Sequence, residues 1–281
     1  MVIPRAGKFS ATHFLTIVNR YSCTWFTAVP TILQILVLRS ASVVQSHLRF
    51  IRSSSSKLAP TVLNQLEALF QVPVIEAYAM TETSYQICSN PCDWSRRKPG
   101  TVGLPFGSVQ IRIVNEEGAL VEPENVGEVC VCGPTVTAGY LNNTTANSLN
   151  FYTTAEGQRW FRTGDTGYID PSGYLTITGR LKEQINRGGE KISPIEIDLV
   201  LKQSQIVVEA VTFGIPDPLY GEAVAVAVVP RSAEEHKDEL LELLSRSIAK
   251  FKLPTQWFFV DALPKTATGK VQRSEVARMF A

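Results

Sequence analysis

The sequence has 281 residues, of which 44% are hydrophobic, enough for the core of one large domain or two modest ones. Its 27 basic and 26 acidic residues leave a formal net charge of +1, which excludes an electrostatic basis for binding nucleic acid or an anionic membrane surface. The first residues lack the apolar core of a signal peptide, and the apolar run over residues 29–38 is too short to span a bilayer, so a cytoplasmic protein is expected.

The cysteines are scattered and odd in number, which predicts reduced thiols rather than disulfides. They are Cys23, Cys88, Cys92, Cys130 and Cys132. None of the 3 histidines is spaced to complete a zinc site with a cysteine pair, so no zinc site is expected.

The first 80 residues alternate between helix and strand patterns. Helices are predicted from Ser10 to Tyr21, after Pro30, and from Pro60 to Phe70, and strands over residues 23–29, 48–52 and 73–78. This order predicts a parallel sheet that binds ligands at the carboxyl ends of its strands. Two segments follow such ends: the serine run over residues 53–56 and the sequence YAMTE at 78–82. A serine run is equally typical of a flexible loop, and a Thr-Glu pair after a strand is commonly structural.

From residue 98 to 177 the pattern changes to β-strands separated by glycine turns, predicted over residues 101–114, 127–132 and 174–178. Within this region and just beyond it, residues 161–191 are predicted to form a polar ligand-facing loop, a short strand pair and a glycine elbow at Gly188 and Gly189. Asp165 and Arg180 flank the predicted hairpin, where a carboxylate and a guanidinium could converge on a sugar diol or a phosphate. The alternative is a surface hairpin with a salt bridge.

The remaining sequence predicts a small α+β domain. Its elements are a helix over residues 194–203, strands over 207–214 and 223–229, a charged helix over 234–250 and a last strand over 257–260. A loop over residues 263–270 then presents Lys270.

Four motifs in fixed order carry a resemblance to a known family. RTGD at 162–165, GR at 179–180, GGEKISPIEI at 188–197 and PKTATGK at 264–270 resemble the adenylate-forming, AMP-binding superfamily of acyl-CoA synthetases, luciferases and adenylation domains. The sequence is most similar to the plant and fungal oxalate–CoA ligase-like subgroup, which is itself similar to 4-coumarate–CoA ligases. The resemblance extends over essentially the whole chain.

The resemblance implies an α/β fold made of a truncated large domain, residues 1–180 with a β-subdomain over 98–180, and a small mobile α+β C-terminal domain over 181–281. Family members also carry, upstream, a Ser/Thr/Gly-rich loop ending in Pro-Lys-Gly that wraps the β- and γ-phosphates. No such loop occurs here, so the sequence is expected to represent only the C-terminal portion of a ligase and to have negligible ligase activity by itself.

The implied reaction joins a small carboxylic acid to ATP, giving an acyl-adenylate and pyrophosphate, and then transfers the acyl group to coenzyme A. The resemblance implies that the nucleotide is bound by Ser55, Ser56, Tyr78, Asp165 and Arg180. Tyr78 would stack on the adenine, and Asp165 would bind the ribose hydroxyls. It implies that Thr81 touches the α-phosphate and that Glu82 helps to hold Mg²⁺. The chemistry agrees, since a flat aromatic ring suits a purine and a hard carboxylate suits Mg²⁺ bound to phosphates.

In the C-terminal domain the resemblance makes Lys270 the adenylation lysine and Lys182 the hinge residue, although an exposed lysine without a role is the alternative for Lys182. Gly188 and Gly189 would line the pantetheine path. Lys191 stands where 4-coumarate–CoA ligases have a glutamine. A cation near the acyl site favours an acid with a second carboxylate, such as oxalate.

Two alternatives remain open. The chain could be a non-catalytic remnant that binds AMP, an acyl-adenylate or a partner protein, and the substrate of an active enzyme could be a 4-coumarate-like or fatty acid. A full-length form could also be peroxisomal.

Overall fold

The computed structural model describes residues 2, 9–40, 43–232, 236–266 and 269–280. The chain divides into two compact units, the first formed by residues 1–163 with 167–177 and the second by residues 164–166 with 178–281. The mixture of sheets and helices confirms the predicted α/β class. The domain boundary expected after Arg180 stays a prediction. Among the described residues, no helix combines the length and the apolar character needed to cross a membrane.

The first unit begins with the predicted alternation of helices and parallel strands. Its elements are α1 (Ala11–Arg20), β1 (Trp25–Ala28), α2 (Pro30–Arg39), β2 (Phe50–Ser53), α3 (Pro60–Phe70) and β3 (Val74–Tyr78). The three strands are parallel, and Ser53 of β2 pairs with Ala28 of β1 and with Glu76 of β3. A proline opens both α2 and α3, where its missing N–H costs no helical hydrogen bond.

One face of this sheet packs on the helices. The buried apolar side chains of this core come from all three helices and from the strands β2 and β3, and include Val18, Leu33, Ile51, Leu66 and Val74. Burial of these side chains fixes the strand order, so the carboxyl ends of β2 and β3 lie beside each other.

A mainly antiparallel region follows. The strands β4 (Cys88–Ser89) and β5 (Leu104–Pro105) extend the first sheet, and a second sheet contains β6 (Gln110–Val114), β7 (Gly127–Cys132), β8 (Phe151–Thr153), β9 (Arg159–Ile169) and β10 (Leu175–Arg180). A short helix, α4 (Thr144–Asn150), precedes β8.

Two predictions for this region were wrong. The strand expected over residues 101–114 is interrupted between β5 and β6, where Gly107 adopts a φ of +57°. The polar loop expected around residues 162–165 is part of the long strand β9. Its Thr163 hydroxyl donates to the carbonyl of Val129 in β7, so a polar side chain is accommodated inside the sheet.

The second unit is the predicted α+β assembly. It contains β11 (Ile185–Arg187), β12 (Glu190–Ile192), α5 (Pro194–Leu201), β13 (Val207–Asp217), β14 (Gly221–Pro230), α6 (Lys237–Ser247), β15 (Gln256–Phe259) and α7 (Arg273–Phe280). The strand order is β12-β11-β14-β13, with β15 parallel to β14. The helix predicted from residue 234 starts at Lys237, and residues 233–235 lie outside the described residues. The helix α7 was not predicted.

The strand β14 separates two cores of the second unit. Its valines Val224, Val226 and Val228 pack with α5 and α6, whereas its alanines Ala223, Ala225 and Ala227 face the core that contains Val276 of α7. Successive side chains of a strand point to opposite faces, so the alternating valines and alanines of β14 pack into the two cores on either side of the sheet. This packing holds α5 and α7 on opposite sides of the sheet.

Candidate functional site

The carboxyl ends of β2 and β3 carry the first group of candidate residues. Tyr78 ends β3 two positions beyond Glu76, which pairs with Ser53 at the end of β2. The serine run and the segment after Tyr78 therefore leave neighbouring strands at one edge of the sheet. Ser55 and Ser56 are exposed there, and Ser55 adopts a φ of +77°.

A single 3-10 turn, Thr81–Thr83, follows β3. The Thr83 hydroxyl is buried in this turn, where it donates to the carbonyl of Met80 at 3.1 Å and accepts the N–H of the same residue at 3.3 Å. Thr81 is exposed in this fixed turn, and its hydroxyl donates to the Tyr85 hydroxyl at 3.4 Å.

The Glu82 side chain is held by a tyrosine that the sequence did not single out. The hydroxyl of Tyr140 donates to Glu82 Oε1 at 3.0 Å, and the N–H of Thr137 donates to the Glu82 carbonyl at 2.8 Å. Tyr140 is fixed in turn by its own N–H, which donates to Asn147 Oδ1 at 2.7 Å. Burial raises the pKa of Tyr140, and the hydrogen bond to Glu82 raises it further, so the hydroxyl stays a donor.

Glu82 fits a magnesium ion only in partnership with a nucleotide. In the portion of the chain that the structure describes, no group of three or more His, Cys, Asp and Glu side chains is placed to hold a metal. Mg²⁺ in nucleotide enzymes is commonly held by one or two carboxylates together with substrate phosphates and water. A half-buried carboxylate with one oxygen already oriented by Tyr140 suits that role.

Asp165 and Arg180 meet in the second unit. Arg180 Nε lies 2.7 Å from Asp165 Oδ1, and the aspartate side chain is only 6% exposed whereas the arginine side chain is 49% exposed. The salt bridge foreseen in the alternative interpretation is therefore present. It does not exclude ligand binding, because the exposed guanidinium can turn toward a ligand while the buried carboxylate stays fixed.

The backbone beside this pair is closely packed. The hydroxyl of Thr178 donates to Thr166 Oγ1 at 3.0 Å, and the hydroxyl of Ser193 donates to the Thr178 carbonyl. A Cβ on Gly179 would lie 2.9 Å from Ser193 Oγ, so only glycine fits between these hydroxyls. The backbone next to Arg180 is therefore held in place by this packing.

Lys182 lies in a 3-10 turn, Leu181–Glu183, that directly follows β10. Its side chain is exposed. The neighbouring Glu183 is bound by Arg273 of α7, with 2.8 Å between Glu183 Oε2 and the guanidinium Nε. Glu183 therefore anchors the turn to α7, while the Lys182 side chain faces solvent.

The glycine elbow is the two-residue turn of the hairpin formed by β11 and β12. Gly188 and Gly189 have φ values of +61° and +91°, as expected for a tight hairpin turn whose central residues both require positive φ. The Gly188 N–H donates to the carbonyl of Tyr220 at 2.8 Å, which fastens the elbow to the tip between β13 and β14. Lys191 is exposed on β12, paired with Asn186.

Lys270 is exposed at the end of a loop that is closed at its base by backbone hydrogen bonds. Lys265 forms a β-bridge with Val271, and the Gln272 N–H donates to the Pro264 carbonyl at 2.9 Å. The Lys270 carbonyl accepts the N–H of Thr266 at 2.8 Å. Of the loop predicted over residues 263–270, residues 267–268 lie outside the described residues. Its described ends are joined by these hydrogen bonds, and the catalytic role of Lys270 stays a prediction.

Comparison with known protein families shows two matches. Residues 1–141 match the model of the AMP-binding enzyme family, and residues 196–270 match that of the AMP-binding enzyme C-terminal domain.

Named relatives are similar over nearly the whole chain. The chain is 49% identical to oxalate–CoA ligase of Arabidopsis thaliana, covering 100% of this chain and 54% of that protein. It is also 49% identical to oxalate–CoA ligase of Saccharomyces cerevisiae, covering 93% of this chain and 48% of the relative. The chain therefore spans about half the length of the curated relatives it matches.

Solved structures give the same result. ATP-bound MatB from Rhodopseudomonas palustris aligns with a TM-score of 0.87 at 31% identity, covering 97% of this chain and 54% of MatB. The o-succinylbenzoate CoA synthetase of Bacillus subtilis, in complex with its acyl-adenylate intermediate, aligns with a TM-score of 0.85 at 32% identity, covering 96% of this chain and 54% of the synthetase.

Proposed function

The chain belongs to the AMP-binding enzyme family, and we propose that it is the C-terminal portion of an ATP-dependent acid–CoA ligase. The observation that carries this proposal is the 49% identity to an oxalate–CoA ligase over the entire chain. The candidate residues in both units support it, because their side chains provide the aromatic, hydroxyl, carboxylate and cationic groups that binding a nucleotide and an acid would need.

In the first unit, the edge at which β2 and β3 end is the proposed nucleotide surface. Ser55, Ser56 and Tyr78 would contact the adenine, which an aromatic ring binds through its face. Thr81 would donate to the α-phosphate. Glu82, oriented by Tyr140, would hold Mg²⁺, whose charge would offset that of the phosphates while the substrate carboxylate attacks the α-phosphate and pyrophosphate leaves.

In the second unit, Asp165 would accept hydrogen bonds from the ribose hydroxyls and Arg180 would act as a second clamp. The buried carboxylate is suited to this role because its burial fixes its direction and strengthens a hydrogen bond to it.

The two lysines of the second unit are proposed to act in sequence. Lys270 would stabilise the negative charge shared by the substrate carboxylate and the α-phosphate as the carboxylate displaces pyrophosphate. The unit would then turn about Lys182, and the elbow at Gly188 and Gly189 would line the path of the coenzyme A thiol to the acyl-adenylate. The exposed positions of both lysines support these roles.

We propose oxalate or a related small acid as the substrate. The two relatives that are 49% identical are named oxalate–CoA ligases, and Lys191 offers a cation at the proposed acyl end. Replacing Lys191 with glutamine in the joined ligase described in the next paragraph tests this point. The variant is expected to lose activity with oxalate, while activity with an aryl or fatty acid of one carboxylate is unaffected or favoured. Equal losses for both kinds of acid would reject the assignment.

The ligase proposal is tested with two proteins: residues 1–281 alone, and the same residues joined to the amino-terminal half of the Arabidopsis oxalate–CoA ligase. Acid-dependent exchange of pyrophosphate into ATP and formation of the CoA thioester are measured. The joined protein is expected to catalyse both, and its Lys270→Gln variant to lose the exchange. The chain alone is expected to catalyse neither, because it spans about half of its relatives.

Each result separates the candidates. Thioester formation by residues 1–281 alone would overturn the expected inactivity of the isolated chain. A folded but inactive joined protein would favour the second candidate function, a binding protein for AMP or an acyl-adenylate. That candidate rests on the residues proposed to bind the nucleotide in each unit and is tested by calorimetric titration with AMP.

A further inference from the structure

Arg273 occupies the first position of α7 and is almost enclosed. Its side chain is 14% exposed, and the guanidinium makes contacts in three directions. Nε donates to Glu183 Oε2 at 2.8 Å, Nη2 donates to Asp198 Oδ2 at 2.9 Å, and Nη1 donates to the carbonyl of Thr212. One side chain therefore joins α7 to the turn after β10, to α5 and to β13.

The partners of Arg273 are themselves fixed. Asp198 is buried in α5, and its second oxygen accepts the N–H of Thr212 at 2.7 Å. Burial opposes the charge on Arg273, but the Asp198 and Glu183 carboxylates more than offset this and raise its pKa, so the guanidinium stays charged. A guanidinium fork with carboxylates on two sides holds its geometry better than a single flexible ion pair.

The two ends of this cluster lie next to the two lysines of the proposed mechanism. Glu183 directly follows Lys182, and Arg273 directly follows Gln272, whose N–H closes the base of the loop that carries Lys270. The lysine itself is exposed, so the position of its ammonium depends on how firmly that base is held. The ion pair of Arg273 with Glu183 links α7 directly to the turn that contains Lys182.

We propose that Arg273 is a positioning residue that locks the Lys182 turn and the base of the Lys270 loop, residues 264–266 and 270–272, into one rigid body. When the second unit rotates about Lys182, Lys270 would then move together with the Lys182 turn. Without the link, the structure between the turn and the loop base would bend instead. This inference rests on the proposed roles of the two lysines. Its structural half, the mechanical link between the turn and the loop base, can be tested whether or not the protein is a ligase.

The structural test is hydrogen exchange of residues 1–281, comparing the wild type with the Arg273→Gln, Arg273→Lys and Glu183→Gln variants. The matched control is Lys252→Gln, which removes a different ion pair of α5, that between Lys252 and Glu196 at 2.7 Å. Arg273→Gln is expected to raise exchange at least ~10-fold at the amides of Thr266, Gln272 and Gln184, while amides of β14 are unchanged.

The Glu183→Gln and Arg273→Lys variants distinguish loss of the link from general unfolding of the second unit. Glu183→Gln retains the pair of Arg273 with Asp198, so it is expected to loosen the turn while leaving the loop base protected. Arg273→Lys is expected to restore only part of the protection, because an ammonium cannot span three partners in a planar fork. Unchanged amide exchange in Arg273→Gln would overturn the proposal. Equally raised exchange of the same amides in Lys252→Gln would also overturn it. So would loss of protection throughout β13 and β14 in both Arg273→Gln and Arg273→Lys.

The catalytic test uses the joined ligase described above, at a temperature at which all variants are folded. Arg273→Gln is expected to lower kcat for adenylation by ~10- to 100-fold with little change in KM for the acid, because a misplaced catalytic group loses effective molarity rather than substrate affinity. Unchanged kcat together with a loosened loop would overturn the catalytic half of the inference. An inactive wild-type joined ligase would overturn the proposed function, while hydrogen exchange would still decide the link.

Discussion

The Tyr140 hydroxyl donates a 3.0 Å hydrogen bond to the carboxylate of Glu82, although the two residues are 58 positions apart in the sequence. Glu82 follows a parallel strand, whereas Tyr140 lies in the segment before α4. The bond occupies one carboxylate oxygen and directs the side chain. It therefore prepares Glu82 for a ligand that needs a fixed oxygen, as Mg²⁺ does.

Tyr140→Phe is expected to weaken the proposed magnesium site without disturbing the fold. The substitution removes only the donor, and a hydrogen bond to a charged group contributes ~1.5 to 3 kcal/mol. In the joined ligase, the Mg²⁺ concentration for half-maximal adenylation should rise ~10- to 100-fold, because each ~1.4 kcal/mol corresponds to a factor of ten. Tyr174→Phe is the matched control, because it removes a hydroxyl that donates to the Arg96 carbonyl. An unchanged magnesium dependence in Tyr140→Phe would contradict the proposal that Tyr140 orients Glu82 for Mg²⁺.

Asp165→Asn is expected to abolish discrimination between AMP and its deoxyribose analogues. In the wild type, removal of a ribose hydroxyl that donates to the carboxylate should weaken binding ~10-fold or more. In the variant, the amide makes a weaker bond, so AMP and 2′-deoxy- or 3′-deoxy-AMP should bind almost equally. The measurement is calorimetric titration of the three ligands into both proteins. If the wild type fails to discriminate, Asp165 does not hold the ribose.

The regular elements of the chain could be predicted because their signals are local. Pro60 at the first position of α3 and the alternation of valine and alanine along β14 each indicate an element without knowledge of the rest of the fold. The strand β9 was missed for the opposite reason. The Thr163 hydroxyl and the Asp165 carboxylate gave it the polarity of a loop, and their partners in other elements are what allow them inside a sheet.

The candidate residues were found through short motifs, and residues that support them were not. Tyr140 and Arg273 belong to no motif, and the partners of Arg273 lie 90 and 75 positions earlier in the chain. Contacts over such distances are created by packing, so neither spacing nor periodicity indicates them. The helix α7 escaped prediction because it has only eight residues, too few for a clear helical period.

Buried thiols of the first unit are expected to resist alkylation in the native state. Burial raises the pKa of Cys88 to about 12 and that of Cys130 to about 11, whereas Cys92 is exposed. Since the thiolate is the nucleophile, iodoacetamide at pH 8 should label Cys92 and leave Cys88 and Cys130 unmodified until denaturant is added. Peptide mass spectrometry measures this. Native labelling of Cys88 at the rate of Cys92 would contradict the described burial.

The same two thiols predict a loss of stability at alkaline pH. Their folded-state pKa values exceed the ~8.5 of an unfolded cysteine, so the folded protein retains protons that the unfolded chain releases. Their contribution to the free energy of unfolding is fully present below about pH 8.5 and declines as pH rises toward the folded values. Urea denaturation from pH 7 to 10.5 should show a shallower decline in Cys88→Ala than in the wild type. Parallel curves would contradict the prediction.

Alanine at the two positions of the glycine elbow is expected to have unequal costs. Gly188 and Gly189 both have positive φ, which costs an alanine ~1 to 2 kcal/mol at either position. A Cβ on Gly188 would also lie 3.1 Å from Tyr220 Cδ1, whereas a Cβ on Gly189 would meet nothing within 4 Å. Gly188→Ala should therefore destabilise the second unit more than Gly189→Ala. Native-state hydrogen exchange of β13 and β14 measures this free energy for the second unit alone.

A double-mutant cycle separates backbone strain from contact with the tyrosine ring. Tyr220→Ala by itself is expected to destabilise the unit, because it removes the ring under the Arg187 guanidinium, 4.7 Å from the ring centroid. In that background, Gly188→Ala should cost about the same as Gly189→Ala, since only the strain of positive φ remains. Equal costs in the wild-type background would mean that the ring moves aside. A cost for Gly188→Ala that stays larger without the ring would place the extra strain in the backbone hydrogen bond from Gly188 to Tyr220.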